Sequence, residues 1–148
     1  MVMMRGTYCL IIRVEETSYL NVGSLGRVKM ERGYYVYVGS AFNSLEDRIR
    51  RHLSKDKKIR WHIDYLLAHE NTIIEDVIFT ADKRRLECLI SNGLENHGSI
   101  EGFGCSDCRC RSHLHYYESF GAAMNAILNV MKELGAEVMF LKDLKPFF

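Results

Sequence analysis

A single proline, Pro146, stands among 148 residues, so no proline-rich linker divides the chain. A chain of this length fits one domain and does not require two. No uninterrupted apolar run is long enough to span a bilayer. The opening residues, Met1 to Gly6, put no extended apolar region ahead of a small-residue cleavage site, so no secretory signal is expected. The expected compartment is the cytoplasm, with no membrane partner. There the five cysteines read as thiols or metal ligands and not as a disulfide framework. Internal repeats and low-complexity tracts are absent. A strong net charge is absent too: the formal value is +1, which by itself points to no polyanionic partner.

What is present is ordinary globular material. Apolar residues make up 47% and charged residues 26%, enough to bury a core and to exclude disorder as a description of the whole. Charge is unevenly distributed. Arg48, Arg50, Arg51, Lys55, Lys57, Lys58 and Arg60 face only Asp56 between positions 48 and 60, a local +6. Such a cluster is the footprint of phosphate binding, or else a solvated helix face followed by a basic loop.

The element pattern is mixed. Gly6 to Val14 is rich in β-branched and aromatic residues and predicts a strand. A short hairpin is expected around Ser24-Leu25. A strand is expected over Tyr34 to Val38, broken at Gly39-Ser40-Ala41. Leu45, Ile49 and Leu53 form a helical stripe, with Asn43 or Ser44 as N-cap. Further helices are expected from Ile59 to Ala68, from an Asp82 cap through Leu94 (Leu86, Leu89, Ile90 and Leu94 sharing a face), and from Ser119 to Leu134 before Gly135. Strands are expected at Ile73 to Thr80 and Ser112 to Tyr117. The expected class is α+β, a small and mainly antiparallel sheet flanked by helices, with an extra N-terminal hairpin and a C-terminal amphipathic helix.

Helical geometry ranks the polar residues on two of these helices. With Leu45 at 0° and about 100° per residue, Ile49 falls at about 40°, Leu53 at about 80°, Arg48 at about 300° and His52 at about 340°. Arg48 and His52 thus flank the apolar stripe, whereas Arg50 and Arg51 point away. Counting from Leu86, Glu87 falls at about 100° and also lies at a stripe edge.

The ordered set Tyr37-Val38-Gly39-Ser40-Ala41 with Leu45 and Arg48, Trp61-His62-Ile63-Asp64-Tyr65-Leu66-Leu67, and Cys105-Ser106-Asp107-Cys108-Arg109-Cys110-Arg111-Ser112-His113-Leu114 resembles the GIY-YIG endonuclease superfamily. Gly6-Thr7-Tyr8 matches the first half of that signature less closely. The resemblance covers roughly Gly6 to Tyr117. It implies a nuclease-like domain over 1–118, with 119–148 a C-terminal helix and tail packed on the same domain. It also implies phosphodiester hydrolysis on DNA ahead of RNA, in repair or other nucleic-acid processing. Tyr8 and Tyr37 would position or activate water, Arg48 would clamp the phosphate, and Glu87 would hold Mg²⁺. Two features differ from the family pattern. Tyr8 and Tyr37 stand 29 positions apart, wider than usual, and the asparagine that the family tends to place after its metal-binding glutamate has no secure equivalent.

Alternatives stay open at several positions. The two tyrosines and Glu87 could be structural or solvated, and Arg48 could cap a carbonyl or pair with Asp64. His52 and His62 read as active-site neighbours or as hydrogen-bonded structural histidines. Trp61 reads as core or as a base-stacking platform. Arg50, Arg51, Lys55, Lys57, Lys58 and Arg60 are the candidate nucleic-acid contacts. Cys105, Cys108, Cys110 and His113 form a compact C-x₂-C-x-C-x₂-H array that could bind Zn²⁺. His113 and His115 share one strand face and could instead line the nuclease cleft. Beside the Mg²⁺-dependent endonuclease stand two other readings: a nucleic-acid-binding module of the same fold without catalysis, and a zinc-stabilised interaction domain.

Overall fold

All residues of β1 (Gly6–Val14) except Arg13 are buried, so this strand must be covered on both faces and paired along both edges. The computed structural model describes residues 3–144; Met1, Val2 and Pro146 lie outside the described residues. β1 pairs with β4 (Gly33–Ala41) on one side and with β5 (Thr72–Thr80) on the other, both antiparallel. β6 (Leu114–Tyr117) adds outside β4, and the two-residue β7 (Met139–Phe140) outside β5, again antiparallel. The order is β6-β4-β1-β5-β7. β2 (Ser18–Asn21) and β3 (Arg27–Met30) make a separate two-stranded sheet around a tight turn at Gly23–Leu25. The architecture is the α+β class expected, hairpin included.

Alternation along β1 sends successive side chains to two cores. Tyr8, Leu10, Ile12 and Val14 pack with Leu45 and Ile49 of α1 (Leu45–Leu53) and with Ile63, Leu66 and Leu67 of α2 (His62–Leu67). Cys9 and Ile11 pack with Leu86, with Ile90 and Leu94 of α3 (Glu87–Leu94), and with Ala123, Ile127 and Met131 of α4 (Phe120–Glu133). The C-terminal helix therefore covers its own sheet. Ser119 caps α4 by accepting from the Ala122 amide, and Gly135 at φ +65° ends it as expected.

Four expectations are corrected. Gly39, Ser40 and Ala41 do not break the strand; they continue β4 and pair with Tyr8, Thr7 and Gly6. Gly39 lies directly opposite Tyr8, and a Cβ there would overlap the Tyr8 hydroxyl, so this glycine gives clearance and not a turn. Second, the helix expected from Ile59 begins only at His62, because the Asp64 carboxylate accepts from the Arg60 and Trp61 amides and holds the preceding residues extended. Third, Asp82 does not start α3. Its carboxylate is taken by the amide and guanidinium of Arg84, and the helix starts at Glu87. Fourth, Leu53 and Leu89 are exposed, and His52 and Ser91 are buried in their stead. Leu45 and Ile49 centre the α1 stripe where His52 lies closer than Leu53; Leu86, Ile90 and Leu94 centre that of α3, with Leu89 on the opposite flank.

Asp64 ties the first core together. It is fully buried, takes a bidentate fork from Arg51 at 2.9 Å to each oxygen, and accepts from two backbone amides. Burial works against this carboxylate, yet Arg51 and the two amides hold its pKa below the ordinary value. Asp64→Ala should cost about 2 to 3 kcal/mol, less than a fully buried pair because the Arg51 side chain is partly exposed. Urea denaturation of the variant checks this; a loss under about 0.5 kcal/mol would place α2 outside the control of this pair.

Candidate functional site

β4 runs nine residues but β6 pairs only with its first half, from Tyr34 to Tyr37. Beyond Tyr37 the outer edge of β4 has no strand beside it. The chain between α3 and β6 fills the gap instead: the Val38 amide donates to the His113 carbonyl, and His113 Nδ1 lies 3.2 Å from the Val38 carbonyl oxygen. Around this edge, groups from both cores meet in a cleft of about 770 Å³. Tyr8, Tyr37 and Arg48 line it from one side, Glu87 and Cys88 from the other, and Trp61, His62, Asp107 and Cys108 close its mouth.

On the first side three rings converge. The Tyr8 hydroxyl and His52 Nε2 are 2.6 Å apart, and the Tyr37 ring centre is 6.5 Å from that of Tyr8 and 6.1 Å from that of His52. Burial pushes both tyrosine hydroxyls well above their ordinary pKa, although Arg48 acts against the rise. Burial, with Lys57 and Arg48 nearby, lowers His52 to about 3, so its imidazole is neutral at pH 7. Nδ1 of His52 is buried without a partner. Arg48 donates to the Ser40 carbonyl at 2.9 Å and stacks over the Trp61 ring at 4.7 Å; Arg51 lies over the same ring at 4.3 Å. Trp61 is thus a platform under two guanidinium groups, half-buried at the cleft. Arg48 caps a carbonyl as well as facing the cleft, and Asp64 pairs with Arg51.

On the second side, Glu87 accepts from the Ser40 hydroxyl at 2.8 Å through one carboxylate oxygen, and the other lies 3.3 Å from His113 Nδ1. Its side chain is 30% exposed and faces the cleft. Arg85 also lines the cleft and stacks over Phe42. His62 accepts from the Gly104 amide through Nδ1 at 2.9 Å, leaving Nε2 to donate to Ser24 Oγ at 3.3 Å. It clasps the β2–β3 hairpin to the cysteine-bearing loop. His115 does not line the cleft. Buried and hydrogen-bonded to Ser91 and Ser99, it is a core histidine that burial lowers to about 4.

The basic segment is partly committed to the fold. Lys55 donates to the Leu67 and Thr72 carbonyls, Lys57 to the Arg51 and His52 carbonyls at the end of α1, and Arg51 to Asp64. Arg60 lines the cleft, Lys58 is exposed, and Arg50 pairs with Asp47 on the outer face of α1. A second cleft of about 620 Å³ lies at the far end of β1 and β4, among Arg13, Glu15, Arg32 and Glu118. Arg13 is paired there with Glu15 and Glu75, and no such set of rings and charges gathers.

Cys88, Cys108, Cys110 and His113 form a possible metal site, their ligand atoms all within 4.8 Å of one another. This set differs from the array expected from spacing, because Cys88 of α3 takes the place of Cys105. Cys105 instead donates to the Phe103 carbonyl. All five cysteines are free thiols. Burial and the neighbouring thiols raise Cys88, Cys105 and Cys110 above the ordinary thiol pKa. Cys88, Arg85 and the Ser40 hydroxyl are the residues that sequence reasoning passed over. Cys88 directly follows Glu87, and that adjacency was the available sign.

The family model for DUF123, a domain of unknown function, matches residues 7–136, and the chain belongs to that family. No curated protein and no solved structure gives a significant match. Among the described residues, no helix is long and apolar enough to cross a membrane.

His52 at about 3 and His115 at about 4 both lie below the 6.5 of an ordinary histidine. Below pH 6.5 the unfolded chain therefore binds protons that the native chain does not, and stability must fall as the pH drops from about 6.5 towards 4. Each histidine contributes a slope of at most about 1.4 kcal/mol per pH unit. Urea midpoints measured at several pH values should show this decline, and His115→Gln should flatten it; midpoints constant from pH 7 to 4.5 would contradict the neutral assignment.

Proposed function

We propose that this chain is a Mg²⁺-dependent endonuclease of the GIY-YIG type, which hydrolyses phosphodiester bonds in DNA ahead of RNA during nucleic-acid processing such as repair. The observation that carries this reading is the meeting of Tyr8, Tyr37, Arg48, His52 and Glu87 around one cleft. The sequence resemblance implies catalytic or metal-binding roles for Tyr8, Tyr37, Arg48 and Glu87, and His52 stands behind the cleft against the Tyr8 hydroxyl.

Hydrolysis needs a deprotonated water, stabilisation of charge on the phosphate, and help for the departing oxygen. Neutral His52 can accept the Tyr8 hydroxyl proton through Nε2 while the Tyr8 oxygen takes one from the attacking water. Burial is the main cause that depresses His52, and a phosphate against Arg48 offsets only the smaller cationic part. Tyr37 limits the space in which that water can sit. Arg48, held by the Ser40 carbonyl and the Trp61 ring, has a fixed guanidinium with which to contact the non-bridging oxygens. The new P–O bond forms on the Tyr8 side, the opposite ester P–O bond breaks, and the departing oxygen takes a proton from solvent.

Glu87 suits Mg²⁺: one carboxylate, open to the cleft and held by Ser40, is the kind of anchor magnesium takes when waters and substrate phosphate complete its shell. Mg²⁺ held by Glu87 would supply charge neutralisation at the phosphate and the leaving oxygen. Zn²⁺ is the second cation this chain's side chains suit, held by soft thiols behind the reacting centre. Arg60, Arg85 and Lys58 can steer the nucleic-acid backbone towards the cleft.

A reading without catalysis draws on the exposed Lys58 and on the cleft cations, which bind phosphate whether or not cleavage follows. Incubation with branched, nicked and intact duplexes and Mg²⁺ separates the two. Cleavage should fall about 100-fold or more in Arg48→Ala and in Glu87→Gln. Salt-sensitive binding with no turnover on any substrate would instead select the binding module, and turnover untouched by both substitutions would remove these residues from the mechanism.

A further inference from the structure

We infer that Cys88, Cys108, Cys110 and His113 bind one zinc ion, and that His113 couples this centre to the Glu87 carboxylate. The inference does not depend on cleavage. Four donors, three sulfurs and one imidazole nitrogen, already lie within 4.8 Å of one another. Tetrahedral zinc with bonds of about 2.3 Å to sulfur spaces its ligands about 3.7 Å apart, so small side-chain rotations close the site. No carboxylate belongs to the set, and soft thiolates with imidazole select zinc over magnesium or calcium.

The protonation of His113 is set by its surroundings. Nδ1 faces two acceptors, the Val38 carbonyl at 3.2 Å and Glu87 at 3.3 Å, so the proton belongs on Nδ1. Nε2 then presents a lone pair towards Cys108 Sγ, 3.2 Å away. That is the state a metal-bound histidine requires, reached with the side chain buried at 1% exposure. The ligands join two segments, the first turn of α3 and the loop before β6. A metal there would cross-link the Cys88 wall of the cleft to the loop at its mouth.

Metal-bound histidines commonly donate their second ring nitrogen to a carboxylate, which orients both groups. Here that carboxylate is Glu87, whose other oxygen is held by Ser40. Glu87 and Cys88 thus stand side by side at the start of α3, the first accepting from the zinc-bound histidine and the second binding the ion. Glu87 is a positioning residue for the centre, whatever else it holds in the cleft.

Elemental analysis of the full chain, expressed with zinc and purified without chelator, should find one zinc per chain. Cobalt substitution should give the intense visible bands of tetrahedral cobalt and a thiolate charge-transfer band, which reads the site without any variant. Cys88→Ser and Cys110→Ser should lose the metal, and Cys105→Ser should keep it. Competition with a chromogenic chelator should show zinc held roughly 10- to 100-fold more weakly in Glu87→Gln than in the unaltered chain. Substoichiometric zinc with no tetrahedral cobalt spectrum would overturn the site, as would loss of metal in Cys105→Ser equal to that in Cys88→Ser. Unchanged zinc affinity in Glu87→Gln would overturn the link through His113.

Discussion

The unequal lengths of two neighbouring strands govern the arrangement of this protein. β4 continues four residues past the end of its pairing with β6, and its unpaired amides and carbonyls need partners. The loop ending at His113 supplies them at Val38, and a side chain from each core bonds Ser40. A fully paired edge would keep the two cores apart on opposite faces of the sheet. The open edge lets Arg48 of one core and Glu87 of the other reach the same residue, one through its carbonyl and one through its hydroxyl.

The charges follow from that geometry. Tyr8 and His52 are buried and Tyr37 is partly so, and burial keeps the His52 imidazole neutral, while Arg48 and Glu87 stand at the rim where water can reach them. The result is a neutral interior beside a charged rim. The rim is held by other contacts: Arg51 and Asp64 set the height of Trp61, Trp61 supports Arg48, and His62 pins hairpin and loop across the mouth.

Much of this was readable from the chain. Strand β1, helix α1 with its Ser44 cap, the N-terminal hairpin and the Ser119-to-Gly135 helix follow from local pattern, because each is decided by burial period and capping chemistry within one segment. The resemblance picked out Tyr8, Tyr37, Arg48 and Glu87, helical geometry added His52, and all five reach one region. What escaped depends on partners distant in sequence. That Arg51 turns inward is decided by Asp64, thirteen residues on, and that Gly39 stays in the strand is decided by the ring across from it. Cys88 is separated from Cys108 by a whole loop, so spacing favoured the nearer Cys105. The basic run looked uniform, yet Lys55 and Lys57 are spent on carbonyls that only the folded chain brings within reach.

The clearance at Gly39 has a historical corollary. A Cβ at position 39 would overlap the hydroxyl that Tyr8 sets beside His52, so that hydroxyl can stay where it is only while position 39 is empty. Neither residue can drift alone while the pair is under selection. A change of the tyrosine to a shorter side chain would release the glycine as well, so the two positions are tied to each other. Gly39, which brings no side chain to the cleft, thus decides what its neighbour across the strand pair can be.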